Sequence, residues 1–255
     1  MSGHSRRLGQ NFLIDPNIVD KIVNCLQDLF PETVLEIGPG QGALTKGLLQ
    51  LAPRVLALER DPQLARELKA RFPQTGLINA DAMLFDWSRV DGKVEAIAGN
   101  LPYSIASPLM WEMAPRVRRT SRMVFMLQKE VAQRVASPPC SKSYGGLSVW
   151  LQSFARVRYQ FGVSPNVFRP RPKVSSAVIS LEPRPDSERP FSPESLSRLI
   201  RLCFQNRRKQ LARTLKDTAD GDAGQWLRQR GLSASSRPEE LSPSQFEQLS
   251  RELAL

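Results

Sequence analysis

Apolar positions change their period repeatedly along this chain, and each change marks an element. After Asp15-Pro16, residues Ile18, Ile22, Val23 and Leu26 recur at helical spacing. That pattern predicts an amphipathic helix opened by an aspartate cap with proline in its first turn. Short continuous apolar runs then alternate with amphipathic ones. The runs predict strands at 34–37, 55–58, 77–79, 94–98 and 122–128, with helices at 43–51, 62–71, 107–113, 129–136 and 146–154. Two β-rich segments, 156–163 and 175–181, are expected to close the sheet as an antiparallel pair. Such alternation predicts an α/β fold, a sheet covered by helices on both faces.

The pattern then changes character. Pro183-Arg184-Pro185-Asp186-Ser187-Glu188-Arg189-Pro190 has the composition of a linker. Behind it, Ser192-Pro193-Glu194 and Ser242-Pro243 each pair an N-cap serine with proline at the first helical position. The expected organisation is therefore an α/β domain over 1–184 and a small all-helical domain over 185–255, with no internal repeat.

A chain of 255 residues with 41% hydrophobic content is long enough for both. No apolar run approaches the roughly 18 residues of a membrane span. Met1 to Gln10 is polar and basic and does not read as a signal peptide. Cys25, Cys140 and Cys203 have neither metal-site nor disulfide spacing, which points to a reducing cytoplasm and no metal. The single histidine, His4, excludes a Ser-His-Asp triad and a His-rich metal site.

Charge alters the picture more. A net charge of +11 points to a polyanionic partner. Seven Lys or Arg and no acid lie between Glu130 and Glu182, among them Arg169, Arg171 and Lys173. Seven more occupy Ser195 to Lys216, including Arg207-Arg208-Lys209. With Arg6, Arg7 and the cluster holding Arg116, Arg118 and Arg119, these runs favour binding to an RNA or DNA backbone over a membrane surface.

Candidate chemistry begins at Glu36-Ile37-Gly38-Pro39-Gly40-Gln41-Gly42, between an expected strand and an expected helix. Glycines at such a corner let a ligand approach the backbone closely. Gly38, Gly40 and Ala43 also satisfy a loose dinucleotide fingerprint, so a nicotinamide dehydrogenase comes into question. Glu36 argues against it: a carboxylate would repel a pyrophosphate but suits the cationic amino and sulfonium groups of S-adenosylmethionine. Glu59 ends the next strand, where an acid binds ribose hydroxyls, and Asp81 follows the third, where it can accept from the adenine amine. Three acids at three successive strand ends make S-adenosylmethionine the expected cofactor on a Rossmann-like sheet.

About 60 residues beyond the glycine loop stands Asn100-Leu101-Pro102-Tyr103, at the end of another apolar strand. The Asn100 amide oxygen and the Leu101 carbonyl can each accept one hydrogen of an adenine N6 amine. Pro102 fixes the local backbone and donates no competing N–H. Tyr103 offers a stacking face. The expected chemistry is methyl transfer to an extruded base.

These segments resemble the ribosomal RNA adenine N6,N6-dimethyltransferase family, in particular its small-subunit (16S) branch. The resemblance spans nearly the whole chain through Gly9-Gln10-Asn11-Phe12-Leu13, the glycine loop, Asp81-Ala82-Met83, Gly99 to Tyr103, Phe125 to Glu130, Tyr144 to Ser148 and Phe168 to Val174. It implies that Gln10, Asn11 and Leu13 line the methionine end of the cofactor, that Gly38 and Gly40 pass beneath it, and that Glu59 holds its ribose. Asp81 and Ala82 would take its adenine. Asn100, Leu101 and Tyr103 would hold the target base, with Phe168 on the opposite face. Ser164-Pro165 and Arg171 depart from the family's prolines, and Gln205-Asn206 inverts a usual Asn-Gln. The resemblance further implies a monomer that dimethylates two adjacent adenosines near the 3′ end of small-subunit rRNA, within an immature subunit late in assembly. A large-subunit methylase of the antibiotic-resistance type, a DNA adenine methylase and a protein acting chiefly as an assembly factor are the alternatives.

Overall fold

The computed structural model describes residues 11–205, 207–219 and 221–253. The chain divides into two compact units, residues 1–132 with 156–183, and 133–155 with 184–255.

The first unit is built on a seven-stranded sheet. Its strands are β2 (Thr33–Ile37), β3 (Arg54–Glu59), β4 (Gly76–Asn79), β5 (Ala96–Asn100), β6 (Arg122–Gln128), β7 (Ala155–Val163) and β9 (Ser176–Pro183). A separate two-stranded ribbon pairs β1 (Phe12–Leu13) antiparallel with β8 (Phe168–Arg169). The sheet order is β4-β3-β2-β5-β6-β9-β7. Strands β4 to β6 run parallel, and β9 lies antiparallel to β6.

Helices α1 (Pro16–Asn24), α2 (Ala43–Leu51), α3 (Pro62–Arg71) and α4 (Ala106–Met113) cover this sheet. The chain winds outward from β2 through α2 and α3, then returns to β5 and winds the other way through α4. Right-handed crossovers in opposite directions put these helices on opposite faces. The reversal between β2 and β5 leaves a crevice at their carboxyl ends, where open α/β sheets hold ligands. Every residue of β2 is buried, as a central parallel strand requires.

The strand expected at 94–98 runs instead from Ala96 to Asn100. Side chains join the backbone bonds just before it: the Glu95 carboxylate accepts the Thr33 N–H at 2.7 Å, and the Thr120 hydroxyl donates to the Val94 carbonyl at 3.2 Å. The shift makes Asn100 the last residue of a sheet strand rather than a loop residue.

The second unit contains α6 (Gly146–Phe154), α7 (Pro193–Gln205), α8 (Leu211–Thr214), α9 (Ala223–Arg228) and α10 (Pro243–Glu252), while α5 (Lys129–Val135) crosses from one unit to the other. Helices α6, α7 and α10 pack on one another. The Tyr144 hydroxyl, fully buried, donates to the Leu241 carbonyl at 2.8 Å. A single boundary after residue 184 therefore does not describe the observed division, because 133–155 groups with the C-terminal helices. The proline-rich segment is also packed: Arg184 donates its backbone N–H to Phe154 O at 2.8 Å and pairs with the buried Glu247 at 2.6 Å.

Candidate active site

The glycine corner follows directly on β2. The Gly38 N–H donates to Leu58 O at 2.9 Å, which stitches the turn to β3. Gly38 and Gly40 have φ values of +65° and +55°, a left-handed conformation that side chains resist. A Cβ on Gly38 would meet no atom within 4 Å, and Gly38 lines the crevice, so its bare α-carbon faces open space there. A Cβ on Gly40 would come 3.0 Å from the Phe12 ring, so this glycine admits the aromatic of β1.

The expected acids gather around that corner. Glu36 and Glu59 are 2% and 3% exposed, and both line the crevice. The Thr45 hydroxyl, on α2, donates to Glu36 Oε2 at 2.5 Å. Burial pushes the Glu36 carboxyl up to about 8; the Thr45 hydrogen bond opposes this and the neighbouring Glu59 charge adds to it. Burial thus favours the neutral acid in the free protein, and a cation beside the group would favour the anion. Glu59 is built differently, accepting backbone N–H bonds from Gly40 at 3.1 Å and Asp61 at 2.9 Å. Asp81 accepts from Met83 N–H at 2.9 Å and pairs with Arg60 at 3.3 Å. Arg60, itself in the crevice wall, carries no local motif and was not among the expected residues.

Asn100 stands opposite, at the end of β5. Its Nδ2 donates to the Asn11 carbonyl at 3.1 Å. A carbonyl only accepts, so this bond fixes which way the amide points and leaves Oδ1 as the acceptor. The turn behind it is tied at several points: Leu101 N–H donates to Met126 O at 3.0 Å, and Pro102 O accepts from Ile105 and Ala106 at 3.0 and 3.1 Å. Among the described residues no donor occupies the Leu101 carbonyl. The Tyr103 hydroxyl lies 2.6 Å from Ser176 Oγ, a partner that no motif pointed to.

One crevice thus brings together Asn11, Leu13, Glu36, Gly38, Gly40, Glu59, Asp81, Ala82, Asn100, Leu101, Pro102 and Tyr103. Gln10 lies outside the described residues. Phe168 is not brought to the crevice wall. Its backbone pairs with Leu13, and its ring, 2% exposed, joins the apolar core that includes Val163 and Val178. The strand pairing that shapes the ribbon sends this side chain inward.

The expected basic residues are mostly exposed, and four of them also have partners within the protein. Arg116 pairs with Glu112 at 2.7 Å and Arg119 with Asp91 at 3.2 Å, while Arg118 Nε donates to Pro115 O at 3.0 Å. Arg207 donates to Glu239 at 2.7 Å and to Lys142 O at 3.0 Å. Arg169, Arg171, Lys173, Arg208 and Lys209 are exposed. Among the described residues no helix is long and apolar enough to cross a membrane.

A family model described as ribosomal RNA adenine dimethylase matches residues 1–255. The chain belongs to the ribosomal RNA adenine dimethylase family. This dimethylase uses S-adenosylmethionine to methylate adenine N6 in ribosomal RNA. It is 49% identical to Ribosomal RNA small subunit methyltransferase A of Maridesulfovibrio salexigens over 96% of this chain and 93% of that one. With the protein of the same name from Oleidesulfovibrio alaskensis it shares 48% identity, over 96% and 89%. Among solved structures it resembles a dimethyladenosine transferase from Plasmodium falciparum, at a TM-score of 0.78 and 24% identity, covering 96% of this chain and all of that one. The 23S rRNA methyltransferase ErmE gives 0.72 and 24% over the same shares. At that identity both comparisons speak to the fold alone, the methyltransferase α/β sheet expected from the sequence.

Proposed function

We propose that this dimethylase converts two adjacent adenosines near the 3′ end of small-subunit rRNA to N6,N6-dimethyladenosine, acting as a cytoplasmic monomer on an immature subunit late in assembly. Relatives named for the small subunit at 48–49% identity support the choice of subunit. The observation that carries the chemistry is the Asn100 amide, whose Nδ2 is committed to Asn11 O and whose Oδ1 is left to accept.

The residues present fit S-adenosylmethionine. Gly38 offers a wall without a side chain, Glu36 a buried carboxyl that ionises beside a cation, and Glu59 and Asp81 have lone pairs beyond those already used. Gln10, Asn11 and Leu13 would hold the methionine end, Glu59 the ribose, and Asp81 with Ala82 the adenine. When bound, S-adenosylmethionine supplies a methyl group activated by a sulfonium leaving group.

The chain's own residues must then prepare the nucleophile. An adenine N6 lone pair is delocalised into the ring. Accepting its two hydrogens at Asn100 Oδ1 and Leu101 O favours a pyramidal nitrogen and stabilises the cation that develops. Asn100 is neutral, so it orients rather than deprotonates, and the proton leaves to water afterwards. Tyr103 stacks on the extruded base, recovering roughly 1–3 kcal/mol of the unstacking cost.

Replacing Asn100 with alanine tests this reading. The account predicts at least about a hundredfold loss of turnover with cofactor affinity retained by calorimetry. Near wild-type turnover would remove Asn100 from the chemistry.

A further inference from the structure

We propose that Ser176 is a positioning residue for the target base, acting through the Tyr103 hydroxyl; the proposal rests on reading Tyr103 as the stacking face. Ser176 opens β9 opposite Gln128 of β6 and is fully buried. The sheet order places it two strands from Asn100. Val178, the next residue on the same face of the strand, is apolar and completely buried. A hydroxyl in such a place is unfavourable unless it has a partner. The partner is Tyr103 Oη at 2.6 Å.

The consequence for the ring is mechanical. At its backbone end Tyr103 sits in a turn held by Leu101 N–H to Met126 O and by the bonds to Pro102 O. At its far end the phenol is fixed to a different strand of the sheet. A side chain held at both ends cannot swing about its first torsion, so the position of the ring is set before RNA arrives. A base that stacks on it then meets the ring at one place beside Asn100, with a smaller ordering cost at binding. The same constraint applies when the base returns as its monomethyl form, so both transfers meet the same wall.

Kinetics of the full-length protein on small ribosomal subunits, with Ser176→Ala, Tyr103→Phe and the double variant, tests the proposal. Each single change is expected to lower kcat on the order of tenfold, raise the share of monomethyl product and leave cofactor affinity near wild type; Tm should stay near wild type in Ser176→Ala and fall in Tyr103→Phe, which leaves the buried Ser176 hydroxyl without its partner. Because both remove one shared hydrogen bond, the double variant should be no slower than the slower single. Ser176→Thr, which keeps the hydroxyl, should recover most of the rate. A Ser176→Ala protein with normal kcat and a lowered Tm would reduce the residue to a structural pin, and multiplying effects in the double variant would equally overturn the coupling. Tyr103→Ala separates the two levels. Full activity in that variant removes the stacking role itself, whereas an inactive Tyr103→Ala beside a normal Ser176→Ala removes only Ser176.

Discussion

Glu36 shows how a single buried group ties cofactor binding to pH. Its carboxyl ordinarily titrates near 4.5, and burial raises it to about 8 in the free protein. A raised value in the folded state means that its contribution to stability is complete below pH 4.5 and is lost as pH rises through 8. A cation at the site favours the ionised form, so cofactor binding should expel a proton at neutral pH. Affinity should therefore strengthen up to about pH 8 and then level off. Calorimetry at pH 7 in two buffers of different ionisation enthalpy would reveal that proton, and Glu36→Gln should abolish it; no release from the wild type would contradict the account. The glycine corner makes a second prediction. Gly38→Ala forces a side chain into a left-handed backbone, costing about 1–2 kcal/mol, and projects a methyl into open crevice. Cofactor affinity should fall more than that strain alone would cause, as read by comparing Kd with Tm. At this scale the sequence is informative where chemistry is local. Glycines, acids at strand ends and Asn100 to Tyr103 are legible because each acts within a few residues of its neighbours. Ser176, the Asn11 carbonyl and Arg60 were not, since their partners lie 73, 89 and 21 positions away, distances only the fold closes.

Elements carry these residues into register. Period and caps expose most of the sheet and its helices before any coordinates, because apolar runs and proline-bearing N-termini are local signals: Asp15 and Asp61 cap α1 and α3 with their side chains. Strand β5 is displaced by two residues, and just before it the side chains of Glu95 and Thr120 bond to the Thr33 N–H and the Val94 carbonyl, contacts that periodicity does not show. Phe168 turns inward into the apolar core, and its pairing with Leu13 in a two-residue strand is invisible to periodicity. The segment after β9 looks like a linker by composition, yet Arg184 finds a buried carboxylate. A comparable long-range clamp fastens the segment after α1 to the sheet. Arg122, at the head of β6, bonds to Asp28 at 2.6 Å, to Glu182 at 3.0 Å and to the Cys25 carbonyl at 2.7 Å. Its side chain is 16% exposed, so removing it takes a partner from the part-buried Glu182 and Cys25 carbonyl, while the exposed Asp28 stays solvated. Arg122→Ala should lower stability by about 1–3 kcal/mol, seen as a reduced denaturation midpoint, while cofactor affinity at low temperature persists. An unchanged midpoint would show the clamp to be idle.

For the whole molecule, a net charge of +11 sets the partner class, and the structure sorts which cations are available. Arg207 is spent on Glu239 and the Lys142 carbonyl, whereas Arg208 and Lys209 are exposed beside it. Reversing the charge of Arg208 and Lys209 should weaken subunit binding and lower the salt dependence by about one unit for each phosphate no longer neutralised, with cofactor affinity unchanged. Arg207→Ala should instead reduce the stability of the helical unit. Binding unaffected by the double reversal would place that face away from RNA. The central claim, a small-subunit adenine dimethylase, is tested most directly by mapping its product. Small and large ribosomal subunits from cells lacking this enzyme would be offered with labelled S-adenosylmethionine, and the labelled nucleotides located. The account predicts label only on two adjacent adenosines near the 3′ end of small-subunit rRNA, recovered as N6,N6-dimethyladenosine. Label on the large subunit, or none on either, would contradict it.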